Sequence, residues 1–227
     1  MIQWAVRLFD PLSFLLVAGG ALMIAIVRHS RHDLWRAFGA LRPLFRDDPE
    51  RDADAARHAV RQIAHIADLK GTVCADRVRG AGAFVRRAAI QLANSHTPDD
   101  FREWADHDLS RRAARHAGAA SFWRAIADAA PSAGMIGTVI GLIGMFAAME
   151  DPARMGAPMA LALLTTLYGL LFSAVIAGPI AARLERLSEA ELAWQRAVID
   201  KLDTLARAEA LAIHPAHPAH RLLRVAG

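Results

Sequence analysis

Three stretches of this chain, residues 11–27, 129–149 and 155–182, contain no Asp, Glu, Lys, Arg or His. A bilayer core about 30 Å thick needs roughly 20 helical residues, with about 17 to 25 as the working range. The second and third runs therefore cross it, and the first sits at the short end, where Leu8 and Phe9 extend it with Asp10 at the interface. Arg28, His29, Arg31 and His32 follow the first run at once, with no Ala-x-Ala site, so a retained span is expected and not a cleaved signal peptide. The expected fold class is an all-α membrane protein. It has three transmembrane helices, a helical cytosolic domain inserted between the first and second, and a long cytosolic extension of the third.

The charges fix an expected orientation. Arg7 alone precedes the first span, whereas Arg28, Arg31, Arg36, Arg42 and Arg46 follow it. The link between the second and third runs holds Arg154 beside Glu150 and Asp151, and the tail holds Arg183, Arg186, Arg196, Lys201, Arg207, Arg221 and Arg224. By the positive-inside rule the N-terminus lies outside, the insert and tail lie in the cytosol, and the chain is a multi-pass protein of a bacterial inner membrane. The expected segments are 1–27 (first span), 28–128 (helical cytosolic domain), 129–182 (helix pair) and 183–227 (helical tail with a disordered end). A formal charge of +4 does not point to nucleic acid, because most Arg residues flank spans or alternate with acids. A single cysteine, Cys74, excludes a disulfide framework and Cys-based metal sites.

Between the first two spans the pattern is helical throughout. Residues 31–45 carry Leu34, Trp35, Phe38, Leu41 and Leu44 at helical spacing, and Asp47-Asp48-Pro49 breaks that helix. Helix resumes over 53–78, with turns at Gly80-Ala81-Gly82 and Asn94-Ser95-His96. Thr97-Pro98-Asp99-Asp100 reads as a helix start, with Thr as cap, Pro in the first turn and acids at the positive dipole end. The helix it opens runs through Trp104, Leu109, Phe122 and Trp123 toward the membrane. The tail repeats Leu184, Leu187, Ala190, Trp194, Val198, Leu202, Leu205 and Ala208 at three- and four-residue steps, one apolar seam for a neighbouring helix of the same protein or of a partner. His214, His217 and His220 end the chain, either as a solvated tail or as a weak metal-binding tract. No nucleophile–base pair, metal constellation or phosphate loop appears, so an enzyme is not expected and no cofactor is implied.

Within the spans, Gly134, Gly137, Gly141 and Gly144 line one side of the second helix. Lipid supplies no hydrophobic drive for pairing, so such a stripe marks close backbone approach, within the chain or between copies. Gly169, Ser173 and Ala177 offer a matching small ridge on the third span. Hydroxyls are the only polar side chains in the spans: Ser13, Ser132, Thr138, Thr165, Thr166, Tyr168 and Ser173. They either bond their own helix backbone or line a weakly polar path. No carboxylate, His or Lys lies inside any span, so an ion crossing here needs an ionisable group from a partner. Pro131 either opens the second span as a first helical residue or bends it, and Pro179 bends a helix that continues into the tail.

The run Ala130-Pro131-Ser132-Ala133-Gly134-Met135-Ile136-Gly137-Thr138 to Gly144-Met145 resembles the third span of MotA-type flagellar stator proteins, within the wider MotA/TolQ/ExbB proton-channel family. Asp151-Pro152, Met155-Gly156 and Met159 to Gly169, closing with Pro179-Ile180 and Leu184-Glu185, resemble its fourth span. Asp10-Pro11-Leu12-Ser13-Phe14, Gly19-Gly20 and Leu34-Trp35-Arg36-Ala37-Phe38 are similar to its second span and the helix after it.

The resemblance implies a homopentamer in the inner membrane, surrounding two copies of a single-span partner of the MotB/TolR/ExbD kind whose membrane Asp carries the proton. By position, Thr138 and Thr166, with Thr165 beside them, match hydroxyls facing that Asp, and Pro131 and Pro179 match the family's paired prolines. Tyr168 and Ser173 complete the expected ion-path set. Two features depart from the MotA pattern. MotA proteins have four spans, whereas only ten residues precede the first span here, so either the sequence starts late or this is a three-span form with the TolQ/ExbB topology. The segment that would couple to a flagellar rotor protein keeps Gly71 and one acid, Asp76, but has Asp68 where a base is expected, with Lys70 as a substitute. The function expected is an ion-driven motor subunit. The alternatives are a TolQ/ExbB-type energiser of an envelope process and a non-conducting membrane scaffold.

Overall fold

The computed structural model describes residues 10–29, 31–40, 49–70 and 82–213. Among these the regular elements are all helical, and three helices are long and apolar enough to cross a membrane. In chain order they are α1 (Pro11–Arg28), α2 (Arg31–Gly39), α3 (Pro49–Lys70), α4 (Ala83–Asn94), α5 (Pro98–Ala147), α6 (Gly156–Leu171) and α7 (Gly178–Ile213). A short 3₁₀ turn (Pro152–Arg154) precedes α6, and a wide π turn (Phe172–Ala177) joins α6 to α7. Two compact units form, one from Met1–Asp47 with Ala113–Ser188 and the other from Asp48–Arg112 with Glu189–Gly227. The segment boundaries expected at 128 and 182 fall inside the continuous helices α5 and α7.

In the first unit, α1 begins where Asp10 accepts the backbone N–H groups of Leu12 (3.3 Å) and Ser13 (3.1 Å), with Pro11 in the first turn. Its inward face is Ser13, Val17, Ala21 and Ala25, one residue per turn. Leu12, Leu15, Met23 and Val27 point outward and are more than two-thirds exposed. Small residues inside and large apolar ones outside is the arrangement expected for a helix in lipid, where outward Leu loses nothing and close packing is the only gain. The core at one end of this unit joins Ala21 and Ala25 with Phe122, Trp123, Ile126, Ala129, Ala177 and Ala181. α2 reaches it through Ala37, whose carbonyl accepts Trp123 Nε1–H at 3.2 Å. Trp35 and Phe38, which the helical spacing had placed on the apolar face, are exposed instead.

The glycine stripe of α5 lies directly on α6. A Cβ added at Gly134 would meet the Thr165 carbonyl oxygen at 2.8 Å, one at Gly137 the Thr165 side chain at 2.6 Å, and one at Gly141 the Ala162 Cβ at 2.7 Å. Gly144 sits against Pro158, and a Cβ at Gly169 would lie 2.7 Å from the Ala130 carbonyl. The facing ridge is therefore Pro158, Ala162, Thr165 and Gly169, not Gly169, Ser173 and Ala177. Antiparallel pairing explains the difference. Gly134, the first glycine of the stripe, already pairs with Gly169, so the rest of the stripe must run back toward the start of α6.

In the second unit, Thr97 and Asp100 cap α5 reciprocally: the Thr97 hydroxyl accepts Asp100 N–H (3.1 Å), and the Asp100 carboxylate accepts Thr97 N–H (3.0 Å). The helix this opens is 50 residues long and continues into the membrane run, as its sequence indicated. The buried faces are Ala56, Val60 and Ile63 of α3, Phe84, Val85, Ala88 and Leu92 of α4, Phe101, Ala105 and Leu109 of α5, and Leu192, Gln195, Val198, Ile199 and Leu202 of α7. Only Val198 and Leu202 of the expected tail seam are among them. Arg102 to Asp200 (2.7 Å) and Arg207 to Asp99 (2.8 Å) close the edge with exposed ion pairs.

The backbone contact at the stripe gives a direct prediction. Gly141→Val forces overlap with α6 backbone, and overpacking of this kind costs about 1–3 kcal/mol or more. It should markedly lower the thermal midpoint of the detergent-extracted protein. Gly19→Ala, with nothing within 4 Å of the added carbon, should leave that midpoint unchanged or raise it.

Candidate functional site

An uncharged helix pair can offer an ion only hydroxyls and free backbone carbonyls. The seam between α5 and α6 brings one such pair together: the side-chain hydroxyls of Thr138 and Thr166 are hydrogen-bonded to each other. Thr138 Oγ1 also lies 3.1 Å from the Gly134 carbonyl and 3.2 Å from the Ala162 carbonyl, and Thr166 Oγ1 lies 3.5 Å from the latter. The Gly134 carbonyl is on the same helix as Thr138, whereas the Ala162 carbonyl is on the facing helix and is reached across the seam. Each hydroxyl has one proton and two lone pairs. The pair is only half-buried, so its remaining hydrogen-bonding capacity faces outward from the seam.

Thr165 differs. It is fully buried against Gly137, and its hydroxyl lies 2.9 Å from the Leu161 carbonyl and 3.1 Å from that of Ala162, both on its own helix. It fills the seam and presents no hydroxyl to a path. Tyr168 is separated from Thr166 by about 200° of helical rotation, and it points to α1. Its hydroxyl accepts Asp10 N–H at 2.9 Å and its ring meets Phe14 edge-on at 5.9 Å. Counting hydroxyls along the sequence could not separate these orientations. Asp10-Pro11 ahead of an apolar run was the available signal for a capped helix start at this point.

Ser173 lies one face-repeat along from Thr166, about 10 Å by helical rise. Its hydroxyl donates to the Ala127 carbonyl at 2.7 Å. Pro131 is interior to α5, so the reading in which it opens the helix is overturned. The π turn lies just ahead of Pro179. Gly178 N–H donates to the Ser173 carbonyl, a five-residue step, and a Cβ on Gly178 would lie 2.8 Å from that oxygen. The expected bend at Pro179 thus takes the form of a widened turn. The proline ring presses on the carbonyl four residues earlier, and the wider turn shifts the hydrogen-bond register to make room. Further along, Arg124 grips Glu185 with nitrogens at 2.6 and 3.0 Å from Oε1, and His116 Nδ1 lies 3.1 Å from Ser188 Oγ.

Asp76, the side chains of Asp68 and Lys70, Cys74 and the His214–His220 tract lie outside the described residues. Among the described residues no group of three or more His, Cys, Asp or Glu is placed to hold a metal ion.

Residues 78–196 match the model of the MotA/TolQ/ExbB proton channel family. The chain is 30% identical to the chemotaxis protein PomA of Vibrio alginolyticus, over 84% of this chain and 75% of that protein. It is 29% identical to motility protein A of Cereibacter sphaeroides, over 88% and 79%. The fold is that of a solved structure of C. jejuni MotAB, with a TM-score of 0.77, 17% identity, and coverage of 98% of this chain and 89% of that one.

The Tyr168–Asp10 bond is separable from the threonine pair. Tyr168→Phe should remove only the acceptor for the Asp10 N–H, a loss on the order of 1 kcal/mol, seen as a thermal midpoint about 2–4 °C lower. An unchanged midpoint would mean that the first turn of α1 is held without it.

Proposed function

This chain belongs to the MotA/TolQ/ExbB proton channel family, and we propose that it acts as a stator-type motor subunit that passes protons across the inner membrane and turns their descent into mechanical work. It is a multi-pass inner-membrane protein. The observation that carries the proposal is the half-buried Thr138–Thr166 hydroxyl pair on a helix pair whose membrane runs are uncharged. None of the three span runs has a carboxylate, His, Lys or Arg, so the group that carries the proton must come from elsewhere. A single-span partner of the MotB kind supplies it as a membrane Asp. The ionised Asp is costly in lipid. Hydroxyls that can rotate between donating and accepting suit both of its protonation states.

In this reading five copies surround two copies of the partner, with the Thr138–Thr166 face toward the partner's helices. The N-terminus lies outside and the insert and tail in the cytosol, following the arginine distribution. Pro131 and Pro179 stand near the cytosolic mouth, where bent helices transmit motion to the insert. Asp68, Lys70 and Asp76 are the coupling residues toward a flagellar rotor protein. The membrane potential contributes about 2.3 kcal/mol per charge per 100 mV.

Thr166→Val is the discriminating variant, because it keeps the shape and removes one hydroxyl. A hydrogen bond to a charged group is worth about 1.5–3 kcal/mol, so proton flux with the partner co-expressed should fall roughly ten- to a hundredfold. Flux equal to that of the unmodified chain would remove the threonine pair from the path. Native mass spectrometry of the same extract should show five copies of this chain with two of the partner. A stable assembly without any Asp-bearing partner would favour a non-conducting scaffold.

A further inference from the structure

Pro131 lacks an N–H, so the carbonyl four residues earlier, that of Ala127, has no donor of its own within α5. That carbonyl is the one to which the Ser173 hydroxyl donates, at 2.7 Å. The backbone carbonyl of Ser173 is in turn the acceptor for Gly178 N–H across the π turn that precedes Pro179. One residue therefore closes the gap left by one proline through its side chain and anchors the widened turn at the other proline through its main chain. The glycine contacts end at Gly134 and Gly169 on this side, with the Gly169 position against the Ala130 carbonyl, and beyond them Ala177 and Ala181 share an apolar cluster with Ile126, Ala129 and Ala130.

We infer that Ser173 is a positioning residue, a hydroxyl latch that ties the break at Pro131 to the π turn before Pro179. The two proline-bearing helices then bend as one unit. The polar cost of the missing N–H sets the need for the latch, because a carbonyl in lipid or in a dry seam must find a donor. The position of the π turn sets its reach, because it holds the Ser173 side chain against α5. When α5 tilts at Pro131, Ser173 moves with Ala127 and carries the turn with it. In the motor this would transmit a push on the threonine pair to both helices at once. That last consequence rests on the proposed function, whereas the latch does not.

The test is a double-mutant cycle on the detergent-extracted full-length chain, read by thermal midpoint. Ser173→Ala in the native background should lower the midpoint by about 2–4 °C. Pro131→Ala supplies the missing N–H to Ala127, so Ser173→Ala in that background should lower it by much less. Equal losses in both backgrounds would overturn the latch. Should Pro131→Ala fail to fold, Ser173→Thr and Ser173→Val decide the matter, since they match in shape and differ in the hydroxyl. Thr should hold the native midpoint and Val should lose it, and equal behaviour would overturn the latch. Proton flux with the partner co-expressed separates the two ideas. Coupling in the cycle with no flux in the unmodified chain sinks the motor reading and leaves the latch standing. Flux in the unmodified chain with an additive cycle does the reverse.

Discussion

The contact on which the membrane unit depends is the touching of two backbones, α5 on α6, at Gly134, Gly137 and Gly141. Lipid tails are as apolar as leucine, so burying a leucine between helices in a membrane gains little. What remains is dispersion at short range and the few hydrogen bonds that short range allows. Dispersion contacts are weak singly and are lost steeply with a gap of half an ångström. A seam in which an added methyl would fall within 3 Å of the facing helix at three successive positions is therefore both the attraction and its own specificity. A glycine inside a helix costs about 1 kcal/mol against alanine, and the seam recovers that cost only if the partner helix is there.

The polar geometry follows from that closeness. Thr138 reaches the Ala162 carbonyl across the seam because no side chain at Gly134, Gly137 or Gly141 holds the helices apart. The same approach brings Thr138 to Thr166, and Ser173 to Ala127. Thr138, Thr166 and Ser173 thus bond across this seam, and the Ser173 bond falls where a proline has freed a carbonyl. Thr165, one residue from Thr166, turns to its own helix and fills the space beside Gly137. Adjacent residues on a helix point about 100° apart, so identical chemistry at 165 and 166 divides into packing and an outward polar spot.

Much of this was legible in the sequence. The uncharged runs located the three spans, Thr97-Pro98-Asp99-Asp100 located the start of α5, and the glycine spacing identified the packed face. Those signals are local, and helical periodicity is enough to read them. The misread features needed the register between helices. The small ridge facing the glycines was extended the wrong way along the third span, because a list of small residues does not state which pairs meet in an antiparallel arrangement. The tail seam was displaced for a related reason: Gln195 is buried and Ala190 exposed, so polarity alone pointed to the wrong stripe. Tyr168 was grouped with the threonines although its hydroxyl serves the first turn of α1, a contact 158 residues apart in sequence.

The two prolines then take on different physical roles. At Pro131 the helix stays α-helical, and the unpaired carbonyl is satisfied from outside by Ser173. At Pro179 the helix changes its own register into a π turn, helped by glycine at 178, where a side chain would meet the Ser173 carbonyl. The first solution needs a neighbouring helix in a fixed place and the second does not. A proline that borrows its donor senses the position of its neighbour, whereas a proline relieved within its own helix supplies a compliant joint. With Ser173 belonging to both, a sensing point is joined to a yielding point through one residue.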